Sequence, residues 1–351
     1  MSRCIQLARN GVCEAAPNPM VGAVIVHKGR IIGEGYHQCC GGPHAEVNAV
    51  RSVRCPELLK ESTIYVSLEP CSHYGKTPPC ADMIIEKGIP RVVIGCEDPF
   101  AKVAGRGIRK LRDAGIDVKV GVLEDACLAL NRRFMTFHTH SRPFITLKWA
   151  ESADGFMDTV RMDYINEKPY VFSTPYTQML VHRCRAHHQA IMVGRRTALS
   201  DDPSLILRKW PGKHPVRLVL DRTGMLPKSL KLFDGTANTR VYLDVTAASP
   251  AYEGQNGVTC VRLDFNRDVL PQLMEDLHKL SVQSLLVEGG CRLLESFIQA
   301  GLWDEVRIEQ SSVCLKAGVP SPAWPHGLMK TITVDGNLLV RIFPDGCCQP
   351  M

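Results

Sequence analysis

Short apolar runs, bounded by turn residues and separated by helical patterns, recur through the first part of the chain. Runs of this kind are typical of buried strands. They predict strands over residues 21–26, 30–33, 64–68, 91–95 and 118–122. Between and after them, helical patterns extend over residues 45–53, 81–87, 107–114 and 123–134. This alternation of strands and helices favours a layered α/β domain.

The second part of the chain starts a new set of elements after a predicted linker at residues 139–143, which divides the chain into domains 1–138 and 139–351. Apolar runs predict strands over residues 144–150, 190–193, 216–221 and 284–290, and helices over 175–185 and 292–300. The last strand runs into the turn Gly289-Gly290, directly before a helix. Backbone N–H groups and a helix dipole at such a turn can bind a phosphate, although most Gly-Gly turns only allow close packing. The turn is not a G-x-G-x-x-G fingerprint, so no Rossmann domain is indicated.

Composition narrows the class of protein. The 351 residues suffice for two domains, and 45% hydrophobic with 22% charged residues is ordinary for a globular protein with a core. The net charge of +6 has no concentrated basic run, so the charge does not exclude nucleic acid but gives no reason to invoke it, and small anionic substrates fit the same charge. The N-terminus lacks an apolar signal core, and no apolar stretch is long enough for a membrane span. With 15 cysteines and no export signal, we expect a cytoplasmic protein with reduced thiols.

Four residues in the first domain have the order and type of a zinc-dependent deaminase site. His44 precedes Glu46 by two residues at the start of a predicted helix, and Cys71 and Cys80 follow a predicted strand. One His and two Cys suit zinc and leave a fourth position open for water, which ionises near neutral pH when zinc binds it. Glu46 is then the proton shuttle and not a ligand, as in the His-x-Glu and Pro-Cys signature of base deaminases. Buried cysteines that only pack are the simpler alternative.

Longer segments around these residues resemble a known family. The chain closely resembles the bifunctional riboflavin-biosynthesis deaminase/reductases, and the gap between Cys71 and Cys80 is similar to the version found in that family. The resemblance implies a cytidine-deaminase-like α/β/α layered domain followed by a dihydrofolate-reductase-like α/β domain. It rests on residues 17–24, 44–49, 68–80, 103–107, 142–155, 193–194, 201–203 and 285–301.

The resemblance also implies the reactions. The first domain would remove the 2-amino group from a diaminopyrimidinone that carries a ribosylamino 5′-phosphate, with Zn²⁺ as the metal. The second domain would use NADPH to reduce the ribosyl group of the resulting uracil to a ribityl chain. The implied partners are this phosphorylated pyrimidine and further copies of the chain in a homo-oligomer, with no nucleic acid and no membrane.

The family pattern carries over to individual residues, each of which could instead be an ordinary structural residue. For the deaminase it implies substrate contacts by Asn18, His37, His73 and Lys76, with Asp98 as a further candidate. For the reductase it implies Lys148 as a catalytic residue and substrate contacts by Arg185, Leu205, Arg208 and Glu288. The implied cofactor contacts are Ala150, Val171, Thr197, Asp201, Arg222, Gly290, Cys291, Arg292, Leu293, Leu294, Glu295 and Ser296.

The reductase half departs from the family pattern at several positions. Ala153 replaces a leucine, residues 171–175 lack a tryptophan that packs near the cofactor, and residues 194–197 are unusually basic. Two alternatives therefore stay open. One is a zinc deaminase of another nucleoside or an RNA base, with a degenerate reductase-like domain. The other is a non-enzymatic zinc-stabilised binding module, in which Cys39 or Cys40 supplies a fourth ligand.

Overall fold

The computed structural model of the protein describes residues 1–72, 74, 78–100, 104–163 and 167–346. The chain divides into two compact units between Ser141 and Arg142. The predicted division after residue 138 therefore falls within the last helix of the first unit, and the predicted linker begins inside that helix. Among the described residues, no helix is both long and apolar enough to cross a membrane.

The first unit contains one five-stranded sheet. Its strands are β1 (Gly22–His27), β2 (Arg30–Tyr36), β3 (Thr63–Leu68), β4 (Arg91–Cys96) and β5 (Asp117–Lys119). The order across the sheet is β2-β1-β3-β4-β5. Strand β1 is antiparallel to β2 and β3, whereas β3, β4 and β5 are parallel. The chain therefore leaves β3 and β4 at the same edge of the sheet, where the residues that follow these strands meet.

Six α-helices accompany this sheet. Two short 3₁₀-helices at Arg9–Gly11 and Pro56–Glu61 complete the unit. The helices are α1 (Ser2–Ala8), α2 (Ala45–Arg51), α3 (Cys80–Glu86), α4 (Arg106–Asp113), α5 (Glu124–Leu130) and α6 (Arg132–His140).

Helix α2 lies unusually close to strand β2. A Cβ atom at Gly35 would stand 2.4 Å from the backbone nitrogen of Ala49, so glycine is needed at this position. On the helix, Ala45 and Ala49 are fully buried and bring the two backbones together. This packing fixes the N-terminal end of α2, which carries His44 and Glu46, against the sheet.

Three sequence predictions in the first unit differ from the structure. The predicted helix at residues 123–134 is two helices, which break at Asn131. The Asn131 side chain accepts a hydrogen bond from Met20 N (2.8 Å) and donates one to Met20 O (2.9 Å), and such side-chain bonds compete with helix continuation. The predicted strand 118–122 is only the three residues of β5, and helix α1 was not predicted.

The second unit is built on a nine-stranded sheet with the order β11-β10-β9-β8-β12-β6-β13-β16-β15. The first seven strands in this order, from β11 to β13, pair in parallel. Strand β16 is antiparallel to β13, and β15 is antiparallel to β16. Strands β14 and β7 pair separately. The strands are β6 (Phe144–Glu151), β7 (Phe156–Asp158), β8 (Ala190–Gly194), β9 (Val216–Leu220), β10 (Thr239–Asp244), β11 (Val258–Leu263), β12 (Ser284–Val287), β13 (Glu305–Gln310), β14 (Val319–Pro320), β15 (Leu328–Val334) and β16 (Asn337–Phe343).

The described α-helices of this unit are α7 (Pro175–Ala186), α8 (Arg195–Asp201), α9 (Val269–Lys279) and α10 (Cys291–Gln299), with a 3₁₀-helix at Lys231–Phe233. Helices α7 and α10 carry most of the residues discussed below. The central strands β12, β6 and β8 are almost completely buried, which is why they read as continuous apolar runs in the sequence. Strands β7, β10, β11 and β13–β16 and helices α8 and α9 were not predicted.

Candidate active sites

The N-terminus of helix α2 presents a histidine and a carboxylate to the interior of the first unit. His44 is the residue before the helix, with extended backbone angles, and Glu46 lies in the first helical turn. Glu46 is only 4% exposed. Burial raises the pKa of its carboxyl group to about 7, and the neighbouring Cys71 adds to this effect. A buried carboxyl group of this kind can accept a proton and release it again near neutral pH.

Two cysteine sulfurs converge on the ring of His44. Cys71 follows strand β3 and Cys80 begins helix α3, so a strand end and a helix start supply them. The Sγ atoms of Cys71 and Cys80 lie 3.5 Å and 3.4 Å from His44 Nδ1. One ring nitrogen of His44 and the two sulfurs all lie within 4.8 Å of one another. The described parts of the chain contain no other group of His, Cys, Asp or Glu residues that could hold a metal ion.

Hydrogen bonds favour a thiolate at Cys71. The Cys80 thiol and the His44 ring donate to the Cys71 sulfur and hold the pKa of Cys71 well below its usual range. The same bonds raise the pKa of the Cys80 thiol and of the His44 imidazole. The backbone N–H of Cys80 also donates to Cys71 Sγ, at 3.3 Å. The site therefore favours the anionic form of Cys71, the form in which cysteine binds metal ions.

The donor set fits zinc. One imidazole nitrogen and two sulfurs in mutual proximity match a site with three protein ligands and an open fourth position. Cys39 and Cys40, which could have closed a structural site, are both exposed and stand outside this group. In the part of the chain that the structure describes, no fourth thiol is available at the site, which argues against a purely structural zinc.

Two predicted substrate contacts form a pair beside the metal-ligand group. Asn18 Nδ2 lies 3.0 Å from His37 Nε2, and His37 Nδ1 lies 3.1 Å from the carbonyl oxygen of Pro43. Since a carbonyl only accepts, His37 carries its proton on Nδ1 and accepts from Asn18 through Nε2. The His37 ring packs edge-on against His44, with centroids 5.5 Å apart, and burial lowers the pKa of His37. The structure thus brings Asn18 and His37 together at the site.

Of the three other predicted substrate contacts of the deaminase, the structure describes only Asp98. His73 and Lys76 lie outside the described residues. Asp98 follows strand β4 and is mostly buried, with its Oδ1 accepting a hydrogen bond from Phe100 N at 2.8 Å. Burial raises the pKa of the Asp98 carboxyl group to about 6. Asp98 therefore lies at the same sheet edge as the Pro70-Cys71 turn.

Glu69 is a buried residue of this region that the sequence analysis missed. Its carboxylate accepts hydrogen bonds from four backbone N–H groups, which belong to Asp98 (3.3 Å), Gly105 (3.0 Å), Gly107 (2.9 Å) and Ile108 (3.2 Å). It thereby joins the turn that bears Cys71 to the N-terminus of helix α4. The sequence signal was an acidic residue between an apolar strand and a Pro-Cys pair, but its partners lie 29 to 39 residues away.

The second unit holds a buried ion pair at the end of strand β12. Glu288 directly follows this strand, and Arg185 lies in the last turn of helix α7. Arg185 Nη2 and Glu288 Oε2 are 2.6 Å apart. Burial by itself would raise the pKa of Glu288, but the charge and hydrogen bonds of Arg185, together with Lys148, lower it. Glu288 is therefore held as a carboxylate, and Lys148 on the adjacent strand β6 is close enough to interact with it electrostatically.

Leu205 and Arg208 lie in the loop after helix α8. Leu205 is buried and has a φ of +53°, in the left-handed region that a leucine rarely adopts. Arg208 is exposed, and its backbone nitrogen donates to His182 Nδ1 on helix α7 at 3.2 Å. His182 is a second residue that the sequence analysis missed.

The predicted cofactor residues 290–296 form the start of helix α10, and they divide into two sets. Gly290 has a φ of +72° and precedes the helix, and a Cβ atom there would stand 3.2 Å from Thr197 Oγ1. The first-turn backbone N–H groups of Cys291 and Arg292 have no intrahelical acceptor in an α-helix, which suits a phosphate. Leu293 and Leu294 instead point into the hydrophobic core, and the Ser296 hydroxyl donates to Leu293 O at 2.7 Å. Glu295 interacts with the Cys291 thiol, and burial raises the pKa of that thiol to about 11.

The other predicted cofactor residues have structural partners of their own. Asp201 ends helix α8 and pairs with the buried Arg161. Arg222 pairs with Asp244 at 3.3 Å, and its guanidinium lies 5.8 Å from the ring centroid of Phe265. Val171 is 65% exposed, and Ala150 is a partly buried residue of strand β6. Their contacts with a cofactor stay predictions.

Comparisons with known proteins identify both units. Residues 1–96 match the cytidine and deoxycytidylate deaminase zinc-binding region, and residues 143–321 match the RibD C-terminal domain. The chain is 39% identical over 309 residues to the riboflavin biosynthesis protein RibD of Aquifex aeolicus, covering 87% of this chain and 84% of that protein. It is 35% identical over 322 residues to RibD of Escherichia coli, covering 87% and 85%.

Solved structures extend the match to the fold of nearly the whole chain. A diaminohydroxyphosphoribosylaminopyrimidine deaminase/5-amino-6-(5-phosphoribosylamino)uracil reductase from Thermotoga maritima is 36% identical, with a TM-score of 0.85 over 98% of this chain and 97% of that one. RibD of Acinetobacter baumannii is 30% identical, with the same TM-score and coverage. The predicted fold class, a cytidine-deaminase-like domain followed by a reductase domain of the RibD type, is confirmed. The chain belongs to the RibD family of bifunctional riboflavin-biosynthesis deaminase/reductases.

Proposed function

We propose that the first unit catalyses the zinc-dependent hydrolytic deamination of a 2,5-diaminopyrimidinone that carries a ribosylamino 5′-phosphate. The convergence of His44, Cys71 and Cys80, with the buried carboxyl group of Glu46 beside them, carries this proposal. The substrate follows from family membership, since the Thermotoga maritima relative is named for this deaminase reaction.

The six residues of this site have separate parts in the reaction. His44, Cys71 and Cys80 hold the metal, and zinc supplies activation of water toward a ring carbon when it is bound. The water oxygen forms a bond to the carbon that bears the 2-amino group, the carbon–nitrogen bond breaks, and ammonia leaves. Glu46 takes one proton from the water and delivers it to the departing nitrogen, and the second water proton ends on the adjacent ring nitrogen of the uracil product. Asn18 and His37 orient the pyrimidine next to this carboxyl group.

The second unit is proposed to reduce the ribosyl group of the deaminated product. NADPH supplies the hydride for this step when it is bound, and the Gly290 turn with the N-terminus of helix α10 would hold its phosphates. The reduction adds a hydride to the carbon at which the ribose ring has opened, and it adds a proton to the atom bonded to that carbon. Lys148 transfers this proton, and Glu288 orients the ammonium group of Lys148. The exposed guanidinium of Arg208 binds the 5′-phosphate of the substrate.

A two-channel assay tests both halves of this proposal on one sample. Purified, zinc-replete protein receives the diaminopyrimidinone ribosylamino phosphate and NADPH, and ammonia release and NADPH oxidation are followed separately. We expect both signals, with ammonia release preceding NADPH oxidation. Ammonia without NADPH oxidation would overturn the reductase assignment, and would leave a deaminase with a degenerate second domain.

The absence of both signals would overturn the substrate assignment. In that case cytidine and RNA become the next substrates to test, since the same metal-ligand group could act on another amino-bearing base. Sedimentation of the purified protein tests the homo-oligomer that the family resemblance implies. The proposed cytoplasmic location is supported by the thiols of Cys71 and Cys80, which are not joined in a disulfide, the state that a reducing compartment maintains.

A further inference from the structure

The loop that carries Leu205 and Arg208 is held by side chains from two regular elements and by a histidine of the loop itself. Leu207 N donates to His214 Nδ1 at 3.3 Å, and Arg208 N donates to His182 Nδ1 at 3.2 Å. The buried Arg217 of strand β9 donates to the carbonyl oxygen of Ser204 at 3.4 Å. Two successive backbone N–H groups thus have imidazole acceptors, and the His182 ring, which accepts from Arg208 N, fixes the direction in which the Arg208 side chain leaves the loop.

Of the two histidines that accept from this loop, His182 is the buried one. It lies on helix α7, one turn before Arg185, and is 5% exposed, whereas His214 is exposed. Because Nδ1 accepts from a backbone N–H group, the ring is neutral and carries its proton on Nε2. Burial, together with the cations of Arg185 and Arg208, lowers the pKa of His182 to about 4. The ring can therefore act as an acceptor throughout the neutral pH range.

We propose that His182 is a positioning residue of the reductase site, which holds the backbone of Arg208 through Nδ1 and thereby directs the Arg208 guanidinium toward the 5′-phosphate. This inference rests on the proposed function, in which Arg208 binds that phosphate. His182 ties the phosphate-binding loop to the helix that carries Arg185, so the loop and the Arg185–Glu288 pair keep a constant separation. The strained φ of Leu205 makes this restraint necessary, because a loop with a left-handed leucine would relax without it.

Two isosteric substitutions separate the δ position from the ε position of the ring. His182→Asn keeps an acceptor atom where Nδ1 lies, and His182→Gln places its amide where Nε2 lies. His182→Ala removes both, and His214→Ala is the matched control for an exposed imidazole that accepts from the neighbouring residue of the same loop. For each protein we would measure kcat and KM for the deaminated substrate, the Kd for NADPH, and ammonia release.

We expect His182→Asn to keep the KM of the wild-type protein. His182→Gln and His182→Ala should raise KM about tenfold, the effect of leaving one buried N–H group without an acceptor, with a smaller change in kcat. Unchanged Kd for NADPH shows that the second unit is folded. His214→Ala should change KM little, because water can replace its ring.

Two results would overturn the inference. If His182→Gln keeps the wild-type KM and His182→Asn does not, the ε position is the functional one and His182 contacts the substrate directly. If all three substitutions keep the wild-type KM, the residue has no positioning role. If the wild-type protein oxidises no NADPH, the proposed function is contradicted and not this inference. Calorimetry then measures the Kd of each variant for the deaminated substrate, and we expect the same order as for KM.

Discussion

Arg185 and Glu288 form an ion pair in the interior of the second unit, joined by three hydrogen bonds of 2.6, 3.0 and 3.2 Å. The sequence analysis assigned both residues to substrate binding. The structure shows that the charge of Arg185 is already balanced by Glu288. We therefore propose the exposed Arg208 as the phosphate ligand in place of Arg185, with the pair itself as a rigid support beside Lys148.

Loss of one partner from this pair should be strongly destabilising. Arg185→Met leaves the Glu288 carboxylate buried without its cation, which costs about 3–5 kcal/mol. Urea unfolding of the second unit measures the change. Arg183→Met, at an exposed position of the same helix, is the control and should have little effect. If the double substitution Arg185→Met with Glu288→Gln is no more stable than Arg185→Met alone, the unpaired charge is not the cause.

The same pair makes a prediction for pH. The pKa of Glu288 in the folded protein lies below its ordinary value of 4.5, so the ionised group stabilises the fold above that pH. This stabilisation is lost as the pH falls through the folded pKa. The free energy of unfolding of the wild-type protein minus that of Glu288→Gln should therefore shrink as the pH falls below 4.5.

Chemical unfolding of both proteins over a pH series measures this difference. His182 also titrates in the acidic range, which is why the difference between two proteins is informative and a single stability curve is not. A difference that stays constant down to the acid limit would mean that Glu288 is not held as a carboxylate by Arg185.

Lys148→Ala should separate the two activities. NADPH oxidation should fall by about 10²-fold or more, the usual contribution of a positioned proton-transfer group, while ammonia release is unchanged. The two-channel assay gives both rates. Lys279→Ala, at an exposed lysine that pairs with Glu275, is the control. Equal loss of both activities in Lys148→Ala would indicate damaged folding in place of a catalytic role.

Glu46→Gln should abolish deamination without loss of metal. The ligand atoms of His44, Cys71 and Cys80 remain, so zinc content should equal that of the wild type. Ammonia release should fall about 10²–10⁴-fold, because an amide cannot carry the proton. Glu57→Gln, at an exposed position of the first unit, should have neither effect. Substantial ammonia release by Glu46→Gln would refute the role of Glu46 as proton shuttle.

Two cysteine substitutions distinguish a catalytic from a structural zinc site. Cys80→Ser removes one of three ligands and should lower the zinc content of the purified protein, together with ammonia release. Cys39→Ser, at an exposed thiol outside the metal-ligand group, should leave both unchanged. Elemental analysis gives the metal content. Zinc loss in Cys39→Ser would show that a fourth thiolate takes part, contrary to the proposed open site.

The metal-ligand group could be predicted because its chemistry is unusual in both residue type and order. His44 and Glu46 are neighbours in the sequence, and the Pro70-Cys71 and Cys80 spacing belongs to one family. The contacts of Glu69 could not be predicted in this way. A carboxylate that accepts from backbone N–H groups imposes no side-chain type on its partners, so the distant loop bears no matching signal.

The sequence by itself determined the two-domain α/β class, the buried central strands and the metal-ligand group of the first unit. Local periodicity and residue chemistry suffice for these, since each depends on a short stretch of chain. Only the tertiary structure decided which charges neutralise each other, because Arg185 and Glu288 are separated by 103 residues. It also decided that Leu293 and Leu294 face the core and that His182 holds the Arg208 backbone. Such pairings follow from strand order and helix packing, which bring together residues whose local sequences are independent.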